Sequence, residues 1–145
     1  MIYPLVPLRE LGEIVSGSTP DTSRKEYWDG DIPWITPADL TDHNEIFFTK
    51  KLRKITEKGY KSCSTSLIPS GSLLFSSRAP IGHCAITTYP LCTNQGFKNL
   101  IPNEKLDSVF GYFALRFFTP RLEALGRGAT FTEINKEIFG SFCIP

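Results

Sequence analysis

The chain has no surplus of charge of either sign. Sixteen Lys and Arg stand against fifteen Asp and Glu in 145 residues, a formal net charge of +1. A polyanion-binding face therefore has to come from local segregation of cations, with the acids placed elsewhere. Long apolar runs are missing as well. None approaches the ~20 residues a helix needs to cross a bilayer, so no membrane partner is expected. Cysteine is sparse and scattered: Cys63, Cys84, Cys92 and Cys143 form no Cys-x-x-Cys pair and have no histidine doublet nearby. Zinc needs clustered thiolate or imidazole ligands, so no metal site is expected. No secretory leader is legible, and a chain of this length can build a core without disulfide staples. The expectation is a cytoplasmic protein with reduced thiols.

The signatures of common chemistries are also absent. There is no glycine-rich loop for a methyl donor, no Asn- or Asp-Pro-Pro-aromatic tetrapeptide and no P-loop. A magnesium nuclease of the common kind places a lysine two residues after an acid, and no Glu here has one: Glu45 is followed by Ile46-Phe47 and Glu57 by Lys58-Gly59. No Gly-x-Ser-x-Gly elbow positions a nucleophile. Of the two histidines, His83 beside an apolar strand reads as a hydrogen-bonded structural residue, and His43 as a solvated one. No catalytic residue and no cofactor is expected.

What is present is enough apolar material for one core: 41% hydrophobic residues, eleven of them Phe. The spacing of Leu8, Leu11 and Val15 predicts a short helix from Pro7. Tyr27-Trp28-Asp29-Gly30-Asp31 predicts an aromatic anchor and a tight turn. Ile32-Pro33-Trp34-Ile35-Thr36 reads as a strand pushed to a sheet edge by its proline, and Pro37–Leu40 as a helical turn. A helix is predicted from Thr56 to Cys63, interrupted or capped at Gly59. Strands are predicted at 73–77, 84–87, 96–101 and 142–145, the third with Phe97 and Asn99 opposed to Lys98 and Leu100. From Ser108 to Leu125 the residues Val109, Tyr112, Phe113, Phe117, Leu122 and Leu125 recur at threes and fours. This is the longest helix, with the Phe113/Phe117 stripe in the core and an end or kink at Pro120. A short helix is predicted over 132–139. Strands mixed with separate helices, without βαβ alternation, predict an α+β fold: a single domain over 1–145 with a small, mainly antiparallel twisted sheet, several short helices and long loops.

Six sequence elements occur in a fixed order: Ser16-Gly17-Ser18-Thr19-Pro20, Tyr27–Ile35, Leu67-Ile68-Pro69-Ser70-Gly71, Phe75–Gly82, Thr93-Asn94-Gln95-Gly96-Phe97, and Gly126–Phe131. Together they resemble the target recognition domain of Type I restriction-modification specificity subunits, over essentially the whole chain. The resemblance implies a domain that reads one half of a bipartite double-stranded DNA target and does no chemistry itself. It also implies adenine methyltransferase subunits as partners, and a motor-nuclease subunit in the full assembly. An alternative is a module that docks on the methyltransferase without reading DNA on its own. Full subunits of the family carry two such domains joined by long helices. The chain stops at Ile144-Pro145, so the long-helix spacer is expected to be absent from it.

Candidate DNA contacts follow, each with a bland counterpart. Arg78 can clamp a phosphate or form an internal scaffold bond; a residue common to readers of different sequences does not distinguish those sequences. Ser76 and Ser77 either donate to phosphates or finish a strand. Asn94 and Gln95 carry amides able to read adenine, or else satisfy a turn before Gly96. Ser18 and Thr19 lie in a loop whose amides could face a phosphate. Trp28 and Trp34 read as core anchors. The basic stretch with Lys50, Lys51, Arg53, Lys54 and Lys61 is a solvated face or the electrostatic footprint, and Arg127 between two glycines is a second backbone contact. Base reading is placed in three loop regions: after Thr19, with Lys25; from Thr36 to Phe48, with Asp39 and Asn44; and around Lys98.

Overall fold

A computed structural model describes residues 3–78, 80–126 and 133–145. The chain opens with β1 (Val6–Pro7) and a 3-10 turn (Leu8–Glu10), then β2 (Gly12–Ser16), a 3-10 turn (Lys25–Tyr27) and β3 (Trp28–Ile35). A further 3-10 turn (Pro37–Leu40) leads to β4 (Phe47–Phe48), β5 (Lys54–Ile55) and α1 (Glu57–Lys61). Strands β6 (Leu73–Phe75), β7 (Cys84–Thr87), β8 (Cys92–Thr93) and β9 (Lys98–Pro102) follow, then α2 (Ser108–Leu125), α3 (Lys136–Ser141) and β10 (Cys143–Ile144).

Five strands form the central sheet in the order β2-β9-β6-β7-β4, antiparallel except for the β4–β7 pair. Three more form a second sheet, β5-β3-β8, and β1 pairs with β10. The central sheet is covered on both faces. On β6, Leu73 and Phe75 point into a core shared with α2, α3 and the first turn, while Leu74 points into a second core with Ile35, Leu40, Phe48 and Phe97. The period-2 alternation of a strand thus separates two apolar clusters instead of core from water. A third cluster, Trp28, Trp34, Ile55 and Cys92, lies under the small sheet. The architecture is three layers: helices, central sheet, small sheet.

The α+β class and mainly antiparallel pairing match the reading of the sequence; several local expectations do not. After the turn at Leu8–Glu10 the chain is a strand, not a helix. Leu8, Leu11 and Ile14 are all buried, but a Cβ at Gly12 would overlap the Ile101 carbonyl oxygen, so β2 lies close against β9 and its ladder takes the backbone. The expected Asp-Gly turn is a bulge inside β3: Trp28 and Ile32 both face Ile55, and Asp29 takes up the excess with φ 62°. Pro33 does not push β3 to an edge. β3 is the middle strand, because Pro33 stands opposite Lys54 while Trp34 N–H donates to the Arg53 carbonyl (2.9 Å), and the pairing with β8 begins only at Trp34.

The helix over Ser108–Leu125 is present with those bounds, capped by the Asp107 carboxylate on Phe110 N–H (3.0 Å), and it runs through Pro120. Leu115 and Leu122, both fully buried, anchor it to the sheet on either side of the proline. Packing overrides the lost hydrogen bond. The face chosen is only partly the expected one: Tyr112 and Leu122 are inside with Leu115, whereas Phe113 is 54% and Phe117 75% exposed. In the final segment, α3 starts later than read, at Lys136, with Asn135 as its cap.

Phe75 is fully buried with its ring 5.3 Å from that of Phe139. Replacing it with Ala removes the contact joining β6 to α3, so Phe75→Ala is expected to cost ~3–5 kcal/mol of stability, read as a lowered urea midpoint at unchanged slope.

Candidate nucleic-acid interface

Three backbone segments converge at one edge of the small sheet. The loop after β2 docks on the turn after β8: a Cβ on Gly17 would overlap the Thr93 carbonyl oxygen, and Ser18 N–H donates to that oxygen at 3.1 Å. The end of β3 is tied to the same turn, Asn94 N–H donating to the Ile35 carbonyl at 3.0 Å. Trp34 completes the junction by donating its indole N–H to the Ser18 carbonyl (3.0 Å).

This convergence gathers six of the candidate residues: Ser18, Thr19, Thr36, Asp39, Asn94 and Gln95. Thr19 O–H donates to Gln95 Oε1 at 2.5 Å, spanning two loops that are 76 positions apart in the chain. Asn94 Oδ1 accepts Gly96 N–H (2.8 Å), the turn-stabilising role. Asp39 Oδ2 accepts Thr36 N–H (2.8 Å) and lies 3.2 Å from the Thr36 hydroxyl, capping the 3-10 turn. Gln95 and Asp39 are exposed and the other four half-buried. The rim therefore presents donors and acceptors while its backbone is already bonded internally. The Ser18 amide, expected to be open to a phosphate, is one of those already used.

The basic stretch forms an adjoining surface. Lys50, Lys51, Arg53, Lys54 and Lys61 are all exposed. Lys50, Lys51 and Lys54 line a shallow cleft of about 230 Å³ with Pro33 and Tyr89. The Arg53 guanidinium sits over Trp28, its Cζ 3.8 Å from the ring centroid. Trp28 in turn packs edge-on against Trp34 at 5.1 Å. The core-anchor reading of both tryptophans holds, at 6% and 5% exposure, and the pair carries the basic surface up to the Ser18 loop. Lys61 makes an open ion pair with Glu57 (3.4 Å), an arrangement that holds a side chain only weakly. Lys25 is exposed in its 3-10 turn. Asn44 is exposed beside a polar cleft of about 140 Å³ that His43 and His83 also line. Both histidines differ from expectation: each Nε2 is buried with no hydrogen-bond partner among the described residues.

Three candidates are not at the surface. Ser76 and Ser77 have no exposed area, and Lys98 is 7% exposed. Ser76 Oγ donates to the Pro80 carbonyl (2.9 Å) and accepts His83 N–H (2.8 Å), so it closes the loop between β6 and β7. Lys98 Nζ lies 3.4 Å from Ser16 Oγ and 3.5 Å from Ser77 Oγ, beneath the loops it was expected to join. These side chains are withdrawn from any phosphate. Arg78 is half-exposed and bonded through Nε to Glu133 (3.3 Å), the scaffold alternative. Glu133 was not foreseen, because its partner lies 55 positions away and the loop between carries no pairing signal. Arg127 falls outside the described residues.

Among the described residues no three His, Cys, Asp or Glu side chains gather to hold a metal ion, and no helix is long and apolar enough to cross a membrane. Burial pushes the Cys84 thiol up to about 12 and the Cys92 thiol up to about 11, so both are protonated near neutral pH.

A mixed sheet domain whose loops converge in a polar rim beside a cationic surface belongs to the class of binding modules. The particular family is shown by comparison. The model of the Type I restriction modification DNA specificity domain matches residues 4–145, and the chain belongs to that family. It is 44% identical over 140 residues to the Type I restriction enzyme MjaIX specificity subunit of Methanocaldococcus jannaschii, covering 95% of this chain and 32% of that protein. It is 33% identical to the HindI specificity subunit of Haemophilus influenzae, covering 94% of this chain and 30% of that one. The fold is similar to the crystal structure of the HsdS subunit from Thermoanaerobacter tengcongensis, with a TM-score of 0.74 at 22% identity over 98% of this chain and 32% of that one. The chain thus spans about a third of the length of these relatives.

The buried Lys98 sets a pH dependence. Burial holds its ammonium below the ordinary lysine value of 10.5, with nearby Glu133 opposing that effect. The folded chain then binds fewer protons at this site than the unfolded chain. Stability attributable to Lys98 therefore rises with pH in the window between the lowered value and 10.5. Relative to Lys98→Met, the wild type is expected to gain stability as pH is raised through that window. Parallel urea midpoints for the two proteins across it would refute this.

Proposed function

We propose that residues 1–145 act as a single recognition domain that binds double-stranded DNA sequence-specifically, reading one half of a bipartite target. The observation that carries this reading is the polar rim of Ser18, Thr19, Thr36, Asn94 and Gln95 in a chain that belongs to the DNA specificity domain family along nearly its whole length. The relatives' names, specificity subunits of Type I restriction enzymes, support a restriction-enzyme setting; in this reading adenine methyltransferase subunits and a motor-nuclease subunit are the partners and carry the chemistry, in the cytoplasm. The domain itself is non-catalytic.

The contacts divide by chemistry. Lys25, Lys50, Lys51, Arg53, Lys54 and Lys61 meet phosphates and set affinity without carrying sequence information. Base edges fall to the exposed side chains of the rim, the Gln95 amide suiting adenine and the free oxygen of Asp39 the cytosine amino group. Arg78, still half-open beside its ion pair, is a backbone contact at the margin.

The test is selection from a random duplex pool by the pure domain, alone and with the cognate methyltransferase, followed by anisotropy with salt titration. A defined half-site is expected to emerge. Joint replacement of Lys50, Lys51 and Lys54 by Ala should weaken all duplexes alike and flatten the log–log salt slope by about one unit per lost phosphate contact. Gln95→Ala should change the preferred half-site, with a loss of ~1–3 kcal/mol confined to one base position. Failure to bind any duplex, even with the methyltransferase present, would sink the proposal.

A further inference from the structure

A small polar cleft of about 140 Å³ lies where the loop before β4, the approach to β7 and α2 meet, lined by Thr41, His43, Asn44, His83, Cys84 and Arg116. Its walls are fixed from behind. His83 N–H donates to Ser76 Oγ (2.8 Å) and Ser76 N–H to the His83 carbonyl (2.9 Å), so the buried serine of the Phe75–Gly82 element holds the backbone that carries this imidazole. Gly82 brings the same segment against α2: its φ is 102°, and a Cβ there would overlap the Thr119 methyl group. On the loop before β4, His43 N–H donates to the Leu40 carbonyl (3.1 Å) and its ring lies 5.4 Å from that of the buried Phe48. Ile86 N–H ties that loop to β7 through the Ile46 carbonyl (2.8 Å). Arg116, exposed on α2, is steadied by donating to the Tyr112 hydroxyl at 2.8 Å.

The geometry points to an anion site that takes one phosphoryl group between His43, His83, Asn44 and Arg116. Three features favour this occupant. Both imidazole Nε2 atoms are buried with no hydrogen-bond partner among the described residues, a costly state that native folds rarely leave standing, and one ligand with several oxygens can meet both. The donor set agrees. The imidazoles, the Asn44 amide, the Thr41 hydroxyl and the guanidinium can all donate, and a guanidinium is always charged and grips phosphate through two parallel bonds. No Asp or Glu is among the described residues that line the cleft; Asp42 and Glu45 flank His43 and Asn44 in the chain and are exposed outside it. A metal cation suits the same walls poorly: the Cys84 thiol stays protonated near neutral pH, Arg116 repels positive charge, and no three His, Cys, Asp or Glu side chains gather among the described residues. The size is right as well. At roughly 30 Å³ per liquid water, the cleft has the volume of a few waters, enough for a single phosphoryl group and too little for a nucleotide.

The site rests on the cleft alone and stands or falls independently of the DNA-reading proposal. The test is a titration of the pure 145-residue chain with inorganic phosphate, followed through the imidazole nitrogen signals by NMR, against potassium chloride at matched ionic strength. The Nε2 signals of His43 and His83 are expected to move together along one saturating curve with phosphate and to stay in place with chloride. Arg116→Gln should weaken phosphate at least ~tenfold, as loss of a charged hydrogen-bond donor does, and Arg116→Lys should restore part of that loss by returning the charge without the fork. Circular dichroism checks that each variant is folded. Should Arg116→Gln fail that check, Asn44→Ala, at an exposed loop position, replaces it and should weaken phosphate by a smaller factor. A short duplex is then added to the phosphate-loaded chain. Displacement of phosphate assigns the site to the nucleic-acid backbone and coexistence assigns it to a free anion; both uphold it. Rings that ignore phosphate, that answer chloride equally, or that move with zinc chloride and not with phosphate overturn the inference. So does an unchanged phosphate curve in the folded Arg116→Gln or Asn44→Ala chain.

Discussion

The carbonyl oxygen of Thr93 is the point on which the candidate interface depends. It accepts Ser18 N–H at 3.1 Å and the Thr65 hydroxyl at 2.8 Å, and the backbone of Gly17 lies so close that no side chain fits between. Two segments from different parts of the chain, the loop after β2 and the stretch holding Thr65, are thereby fixed relative to a strand that is fully buried. Their exposed side chains inherit the rigidity of the sheet. A binding surface built this way loses little conformational entropy on meeting its ligand, because the backbone is ordered in advance.

How much of this was legible in the sequence depends on the range of the interaction that decided each feature. Local chemistry was readable: the helical turn at Pro37–Leu40 and the bounds of α2 follow from neighbours within a few positions, while the caps supplied by Asp39 and Asp107 were not read. The buried face of α2 was not readable, because the helix is apolar on two sides. Periodicity picks out a stripe containing Phe113 and Phe117, yet β6 and β7 cover the stripe with Tyr112 and Leu115. Pro33 misled for a related reason. Its missing donor matters only if the ladder needs one at that position, and the bulge at Asp29 sets a register in which Trp34 supplies it.

The same logic separates scaffold from candidate reader within the motifs that revealed the family. Ser76 and Ser77 looked like ligands because they are polar and stand in a family motif, and Lys98 because it stands in one of the loop regions between motifs. They are buried because they close the β6–β7 loop and support the loop after β2 from beneath. Pairings such as Arg78 with Glu133 or Thr19 with Gln95 join distant segments and leave no trace in local spacing. Ser18, Thr19, Asn94 and Gln95 stand within the shared elements and form the rim together with Thr36 and Asp39, which lie outside them.

The near-zero net charge then becomes informative. Cations concentrate between Lys50 and Lys61 on the layer of the small sheet, where Glu57 is the only acid in that stretch of sequence. The acids Glu104, Asp107 and Glu123 sit at the ends of α2, across the central sheet, and are exposed there. Fields from exposed charges fade over about 10 Å at moderate salt, roughly the spacing between packed sheets. Each side of the domain therefore presents its own local charge to an approaching partner. A polyanion meets the cations between Lys50 and Lys61 with Asp29 and Asp31 of β3 exposed on the same layer, so the favourable field is local to that stretch, and α2 presents a separate surface of apolar side chains. The three-layer arrangement, with a sheet buried on both faces, is what lets a chain of almost balanced charge offer two chemically different surfaces.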